Sequence, residues 1–213
     1  MEFLLFCLEK RELLFVTTLR HIEVSAIAVL ISVVAAVPLG ILITRWRKLA
    51  HLVVNSANVG QTVPSLAILG LVIPVLGIGL KPAVFAIVIR GVLPILNNTY
   101  SGIVNVDRSL IEAGRGMGMK DREILTLVEI PLSLPVIMAG IRTAAVLSIS
   151  VAALAALIGA GGLGDLIFQG IVMADRNLLL AGSIPTALLA IGTDLGLEWV
   201  EKWLKRWQPK QVF

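Results

Sequence analysis

Charged residues, aromatic residues and cysteines are all scarce in this chain of 213 residues. Asp, Glu, Lys and Arg make up 15% of it, Phe, Trp and Tyr make up 5%, and Cys7 is its single cysteine. A soluble domain carries about 25% charged residues, so this composition argues against one. A lone cysteine excludes a disulfide framework and a cysteine-based metal site, and the two histidines, His21 and His51, show no ligand spacing.

Hydrophobic residues are in excess: they form 57% of the chain, and its mean hydropathy is +0.94. This content points to a bilayer as the solvent. A transmembrane helix needs about 20 mostly apolar residues, which leaves room for five or six spans and for no soluble catalytic domain. We therefore predict an all-α membrane bundle of about five transmembrane helices. The predicted spans cover residues 24–43, 52–76, 83–104, 134–158 and 177–197.

The remaining segments suggest three parts and an orientation. Residues 1–21 are predicted to form an amphipathic helix at the membrane interface, the alternative being a flexible start to the first span. Residues 22–200 form the transmembrane domain, with a charged loop over 105–133, and residues 201–213 form a cytoplasmic tail. Eleven Lys and Arg residues lie in this loop, in 44–51 and in 198–213, against five in the segments on the other side. The positive-inside rule then predicts an external N-terminus and a cytoplasmic C-terminus in a cytoplasmic membrane.

Two glycine-rich segments resemble nucleotide-binding motifs only in part. GAGGLG at 159–164 matches G-x-G-x-x-G but follows a predicted transmembrane helix instead of a strand, so we predict a tight external turn. The segment 114–120 lacks the residues that complete a phosphate-binding loop. We therefore expect no ATPase site, no catalytic residues and no cofactor bound by this chain. The pI near 9.6 reflects cations at the ends of spans and does not indicate a nucleic-acid partner.

The charged loop is predicted to contain two short helices joined by a turn. Ser109 and Glu112 have the spacing of a capping box, which predicts that Ser109 is the N-cap of the first helix. Gly118 is predicted to take the left-handed conformation that ends a helix. Asp121 is predicted to cap a second helix, which Pro131 ends. Both helices have an apolar side, and such a side in water needs a partner.

This loop resembles the EAA loop of the membrane subunits of bacterial ABC importers. The family pattern is E-A-A, three residues, Gly, nine residues, then I-x-L-P; here Glu112-Ala-Gly, Gly118 and Val128-Glu-Ile-Pro stand at the same spacing. Where the family has a second alanine this chain has Gly114, from which we expect a looser first helix. The resemblance implies that this loop docks into a separate ATPase subunit, which binds the ATP and magnesium; the alternative is a solvated linker. The implied coupling residues are Glu112, Ala113, Gly114, Met117, Gly118 and Pro131.

Longer segments, at 60–103, 129–144 and 157–167, resemble the permeases of osmoprotectant importers. Those permeases import quaternary ammonium compounds such as glycine betaine, choline and carnitine. The resemblance implies the ABC importer permease fold and four kinds of partner. These are two ATPase subunits, a second permease copy or paralogue, an extracytoplasmic substrate-binding protein and the small-molecule substrate. Two alternatives stay open: a methionine-type or other amino-acid importer permease, and an ion-coupled secondary transporter, which needs ionisable relay residues in its spans.

Polar residues in the second and third spans predict a substrate path. Polar groups at membrane depth are tolerated only where they face protein or a water-filled cavity. For each residue the alternative is a hydrogen bond that only packs the bundle. Pro64 and Pro94 serve either as hinges or as static kinks. The predicted path residues are Gln61, Thr62, Pro64, Ser65, Asn97, Asn98 and Tyr100.

Two arginines, Arg90 and Arg142, lie within spans, where a charge is costly. Each is expected to extend to an interface or to pair with an acid such as Asp194. For an aromatic cage around a quaternary ammonium group the spans offer only Phe85 and Tyr100. High affinity for such a substrate is therefore expected to reside in the binding protein.

Overall fold

The computed structural model describes residues 2–206, except for the side chains of Glu2 and Arg47. A π-helical segment, Leu125–Glu129, joins two of its helices, and a 3₁₀ turn covers Ala156–Ile158. The helices are α1 (Glu2–Glu9), α2 (Arg11–Ile43), α3 (Arg47–Thr62), α4 (Ser65–Leu76), α5 (Leu80–Val104), α6 (Arg108–Gly116), α7 (Asp121–Ile124), α8 (Ile130–Ala155), α9 (Leu163–Met173) and α10 (Arg176–Lys205).

Within this part of the chain, four continuous helical stretches are long and apolar enough to cross a membrane. They are Arg11–Ile43, Leu80–Val104, Asp121–Ile158 and Arg176–Lys205. Helices α3 and α4 satisfy the same test only together, and they meet at a bend of 101°. The predicted all-α bundle of about five spans is confirmed, and its second span is broken.

Several boundaries differ from the prediction. Helix α2 continues through residues 21 and 22, because no glycine or proline interrupts the chain there and Arg20 pairs with Glu23 one turn away, at 2.8 Å. Helix α10 likewise passes residue 200 and ends at Lys205. The segment between the fourth and fifth predicted spans, residues 159–176, contains a further apolar helix, α9, which packs against α10. Residues 207–213 of the predicted tail lie outside the described residues, and the interfacial placement of the N-terminal segment stays a prediction.

Helix α5 lies at the centre of the bundle, between α2 and α8. A cluster of buried residues joins these three helices to α3, which therefore packs directly against the bundle. Small residues line these contacts, which lets the backbones approach closely. Members of the cluster include Ala36, Ile43, Ala50, Ile95 and Ala144.

Candidate coupling loop and substrate path

Asp107, not Ser109, is the N-cap of the first loop helix. The Asp107 Oδ1 atom accepts a hydrogen bond from the Ser109 N–H at 2.9 Å, and α6 begins at Arg108. The predicted capping box between Ser109 and Glu112 is therefore wrong, because Ser109 already lies in the first turn. Asp and Ser are about equally good N-caps, so local propensity did not distinguish the two positions.

The turn after α6 is held by three backbone hydrogen bonds. Met117 donates to the Ala113 carbonyl at 3.0 Å, Gly118 donates to Arg115 at 2.9 Å, and Met119 donates to Gly114 at 3.1 Å. The last bond spans five residues and requires a left-handed residue before it. Gly118 has φ +84°, which confirms its predicted conformation.

The second loop helix differs from its prediction at both ends. Lys120 occupies the N-cap position, and its N–H donates to the Glu123 carboxylate at 2.7 Å, so Asp121 is the first helical residue. Pro131 does not end the helix either, since the helical stretch runs from residue 121 to 158. The π segment just before it, in which Ile130 donates to the Leu125 carbonyl, widens the helix where proline removes a backbone donor.

Gly114 lies where the two loop helices approach each other. The residue is buried, and a Cβ atom built there would lie 3.3 Å from the Met119 Sδ atom and 3.5 Å from the Ile124 Cγ1 atom. The absence of a side chain therefore lets the two loop helices pack against each other. The expectation of a looser first helix stays a prediction, because it concerns helix propensity and this contact is a tertiary one.

The other predicted coupling residues lie on the surface. Glu112, Ala113 and Pro131 are exposed, and Met117 is 76% exposed. Leu127, in the π segment, is 67% exposed. An ordered loop that presents large apolar side chains is suited to receive another protein surface.

An ion pair that the sequence did not predict ties this loop to the bundle. The Arg45 Nη2 atom, just after α2, lies 2.6 Å from the Glu129 Oε2 atom at the end of the π segment. The Glu129 side chain is 7% exposed. The two residues are 84 positions apart, and only the fold brings them together.

The predicted second span breaks at Val63 and Pro64, which both have extended backbone torsion angles. Pro64 therefore precedes a new helix, whereas Pro94 lies inside the continuous helix α5. The Gln61 and Thr62 side chains are exposed at the end of α3, and Ser65 begins α4. The predicted span over 52–76 is therefore a broken span with a bend of 101° beside Pro64, where the sequence analysis placed a hinge or a kink. The apolar pattern carried no information on the size of this angle.

Arg90 holds this break together. Its Nη1 atom donates to the carbonyls of Gln61 at 2.9 Å and Val63 at 3.2 Å. These carbonyls stand at the C-terminal end of α3, where helical donors are missing and the helix dipole favours a cation. Arg90 therefore has backbone carbonyls as partners in place of the predicted acid, and its predicted extension to a membrane interface stays a prediction.

The predicted path residues on α5 point to different neighbours. Asn97 donates to the Asn58 side-chain oxygen at 2.7 Å and so joins α5 to α3. Asn98 donates to the Pro94 carbonyl of its own helix, and its Cβ atom lies close to Gly140 on α8. Tyr100 packs on the cluster that includes Ala50 and Ile95. The structure therefore brings Asn97 to the broken span and places Asn98 against α8.

The predicted pairing of Arg142 with Asp194 is confirmed. The Nε atom of Arg142 lies 3.3 Å from Asp194 Oδ1, and its Nη1 atom lies 3.4 Å from Glu201 Oε2. Glu201 is a second partner that the sequence analysis missed. Both acids belong to α10, so the arginine joins α8 to α10.

A family model described as "Binding-protein-dependent transport system inner membrane component" matches residues 36–206. The chain belongs to this family. It is a multi-pass membrane component of a transport system, and the family implies ATPase and substrate-binding-protein partners.

Individual relatives show which group of permeases this chain resembles. The chain is 48% identical over 199 residues to the carnitine transport permease protein OpuCB of Listeria monocytogenes, covering 93% of this chain and 90% of the relative. It is 48% identical over 191 residues to the choline transport system permease protein OpuBB of Bacillus subtilis (strain 168), covering 90% and 88%. The resemblance of this permease to the osmoprotectant group is confirmed.

Solved structures confirm the fold. An inward-facing MetNI methionine ABC transporter superposes with a TM-score of 0.83 over 92% of this permease and 98% of that chain. Its sequence identity is 20%, so this likeness shows the fold alone. The amino-acid importer alternative therefore has only distant support.

Proposed function

We propose that this permease imports a quaternary ammonium osmoprotectant (glycine betaine, choline or carnitine) across the cytoplasmic membrane. The observation that carries the proposal is the 48% identity, over nine-tenths of the chain, to permeases named for carnitine and choline transport. The N-terminus is external and the C-terminus cytoplasmic, which puts the exposed loop on the side where ATP is available.

The exposed loop forms the contact with the ATPase subunits. Two permease chains, identical or paralogous, each present Glu112, Ala113, Met117 and Gly118 to one of two ATPase subunits. Those subunits bind ATP and magnesium, and their closure draws the two loops together. The exposed Met117 and Leu127 side chains support this role, because a docking surface buries such groups.

Substrate follows the polar residues at the broken span. A quaternary ammonium group donates no hydrogen bond and needs only dipoles and water to offset its charge. The exposed amide and hydroxyl groups of Gln61 and Thr62 meet this need. Pro64, Ser65, Asn97, Asn98 and Tyr100 complete the path. It binds weakly, since it lacks an aromatic cage, and the binding protein supplies the affinity.

Reconstitution tests the proposal directly. Proteoliposomes that contain this permease, the ATPase subunit and the binding protein are assayed for uptake of labelled glycine betaine, choline, carnitine and methionine. We expect ATP-dependent uptake of at least one quaternary amine and none of methionine. Uptake of methionine, or equal uptake of a quaternary amine without the ATPase, contradicts the proposal.

The coupling role of the loop is tested by two valine variants. Gly118→Val forces a β-branched residue into left-handed backbone, which costs about 1–2 kcal/mol and distorts the turn. Gly116→Val is the matched control, because Gly116 ends α6 and no atom lies within 4 Å of a Cβ atom built there. We expect Gly118→Val to lower substrate uptake per ATP hydrolysed by about fivefold or more. Equal ratios in the two variants contradict the assignment.

A further inference from the structure

The ion pair between Arg45 and Glu129 differs from the other charged contact of the loop. Its atoms lie 2.6 Å apart and the Glu129 side chain is almost fully buried. The pair between Arg115 and Asp121 spans 3.5 Å, and its side chains are 63% and 80% exposed. A buried charge needs its partner, whereas exposed pairs contribute little. The Arg45 side chain is 42% exposed, so the burial lies on the Glu129 side of the pair. We expect the first contact to persist through movements that break the second.

Glu129 belongs to the part of the chain that an ATPase would move. It ends the π segment that directly follows the two loop helices, and the same helical stretch continues to residue 158. The Ile130 N–H donates to the Leu125 carbonyl, and Glu129 lies within the helical turn that this bond closes. A displacement of α6 and α7 reaches this carboxylate over one turn of helix.

Arg45 belongs to the corner from which α3 starts. Three backbone hydrogen bonds close this corner: Thr44 to Ile41 at 3.2 Å, Arg45 to Leu42 at 3.3 Å and Trp46 to Ile43 at 3.1 Å. Ile43 before the corner and Ala50 after it are both fully buried. The corner therefore moves as a unit, and α3 moves with it.

We propose that Arg45 and Glu129 form the contact that transmits movement of the loop to the broken span. A pull on Glu129 displaces Arg45 and the attached α3, whose far end carries Gln61, Thr62 and the break at residues 63–64. Arg90 of α5 holds the carbonyls at that end, so movement of α3 against α5 changes the path at the break. Both members of the pair are positioning residues, and the inference rests on the proposed docking of the loop.

Apolar contact between α2 and α8 is the competing route. Apolar surfaces attract without direction, so they allow sliding, whereas an ion pair at 2.6 Å fixes the distance between two atoms. If the ion pair transmits the movement, exchanging its two charges should recover part of the lost coupling. If apolar packing transmits it, the charge exchange should recover nothing.

The test measures substrate imported per ATP hydrolysed in the reconstituted complex. This ratio does not change with the amount of folded protein. We expect Glu129→Gln and Arg45→Gln to lower it by about fivefold or more. Arg45→Lys is expected to lower it less, and the exchange Arg45→Glu with Glu129→Arg is expected to recover part of the loss.

Two control variants separate this role from general loosening. Asp194→Asn removes one acid of the other inter-helix ion pair, and Asp121→Asn removes the exposed pair within the loop. We expect wild-type ratios from both. A ratio in Glu129→Gln equal to that of Asp194→Asn, or no recovery on charge exchange, overturns the inference. Failure of the wild-type complex to import any quaternary amine overturns the proposed function instead.

Discussion

The exposed loop and the broken span are both pairs of helices joined at a sharp turn, and their turns are held in opposite ways. In the loop, Asp107, Gly118 and Glu123 supply the caps and the turn from within the segment itself. In the broken span, the carbonyls of Gln61 and Val63 depend on Arg90, which belongs to another helix. The turn of the loop is therefore held by local contacts, and the turn of the broken span is held by a tertiary contact.

This difference suits the two proposed roles. A loop that carries its own hydrogen bonds keeps its shape while it is displaced by a partner. A break that is held by a neighbouring helix changes whenever the two helices shift. If the proposed roles are correct, we expect the loop to act as a rigid contact and the break to act as the element that responds.

The largest expected effect comes from Arg90→Leu. The variant leaves two carbonyls at the end of α3 without their charged donor, and hydrogen bonds to charged groups contribute about 1.5–3 kcal/mol each. We expect the free energy of unfolding in detergent to fall by about 2 kcal/mol or more. Hydrogen exchange should rise in residues 59–67 and not in residues 108–124.

Arg90→Lys is the matched control, because lysine keeps the charge but lacks the planar fork. We expect a smaller loss from it. Wild-type stability in Arg90→Leu would show that the break is held by local geometry, and the contrast between the two regions would be lost.

The next effect comes from Asp107→Ala, which removes the N-cap of α6. Loss of such a cap costs about 1 kcal/mol. We expect faster hydrogen exchange at residues 109–112 and no change at the broken span. Ser109→Ala is the control, and it should have little effect because Ser109 lies inside the helix. A larger effect of Ser109→Ala than of Asp107→Ala would instead identify Ser109 as the N-cap, as the sequence pattern suggested.

A smaller effect is expected for the bond between Asn58 and Asn97. A double-mutant cycle with Asn58→Ala and Asn97→Ala measures their coupling in the free energy of unfolding. Inter-helix polar contacts in membranes average about 0.6 kcal/mol, and we expect a coupling of this size. Asn98→Ala combined with Asn58→Ala should show none, since Asn98 bonds to its own helix.

The smallest effect is expected for Gly114→Ala. Alanine stabilises a helix interior by about 1 kcal/mol over glycine, but the new methyl group meets Met119 at 3.3 Å. We expect these effects to cancel in the thermal stability of the loop. The same substitution in a Met119→Ala background should stabilise it, because the opposing side chain is gone. Clear stabilisation in the wild-type background contradicts the close packing at Gly114.

The outcomes of sequence analysis follow the same division between local and tertiary structure. The left-handed Gly118 and the spans were predictable, because turn chemistry and apolar length act over a few neighbouring residues. The cap at Ser109 and the helix end at Pro131 were wrong, because two good capping residues lie close together and a π turn accommodates proline. The pairing of Arg142 with Asp194 was predicted correctly. Its second partner, Glu201, was not predictable, because that contact depends on the angle between α8 and α10.

The amino-acid sequence by itself determined that this protein is an all-α membrane permease with an exposed loop of the importer type. Composition, span length and motif spacing carry that information along the chain. The tertiary structure alone decided that Arg90 holds the break at Pro64 and that Arg45 pairs with Glu129. These features join residues that are 27 to 84 positions apart. A charge in or near a bilayer takes its partner from whichever helix the packing places beside it, and no local pattern records that choice.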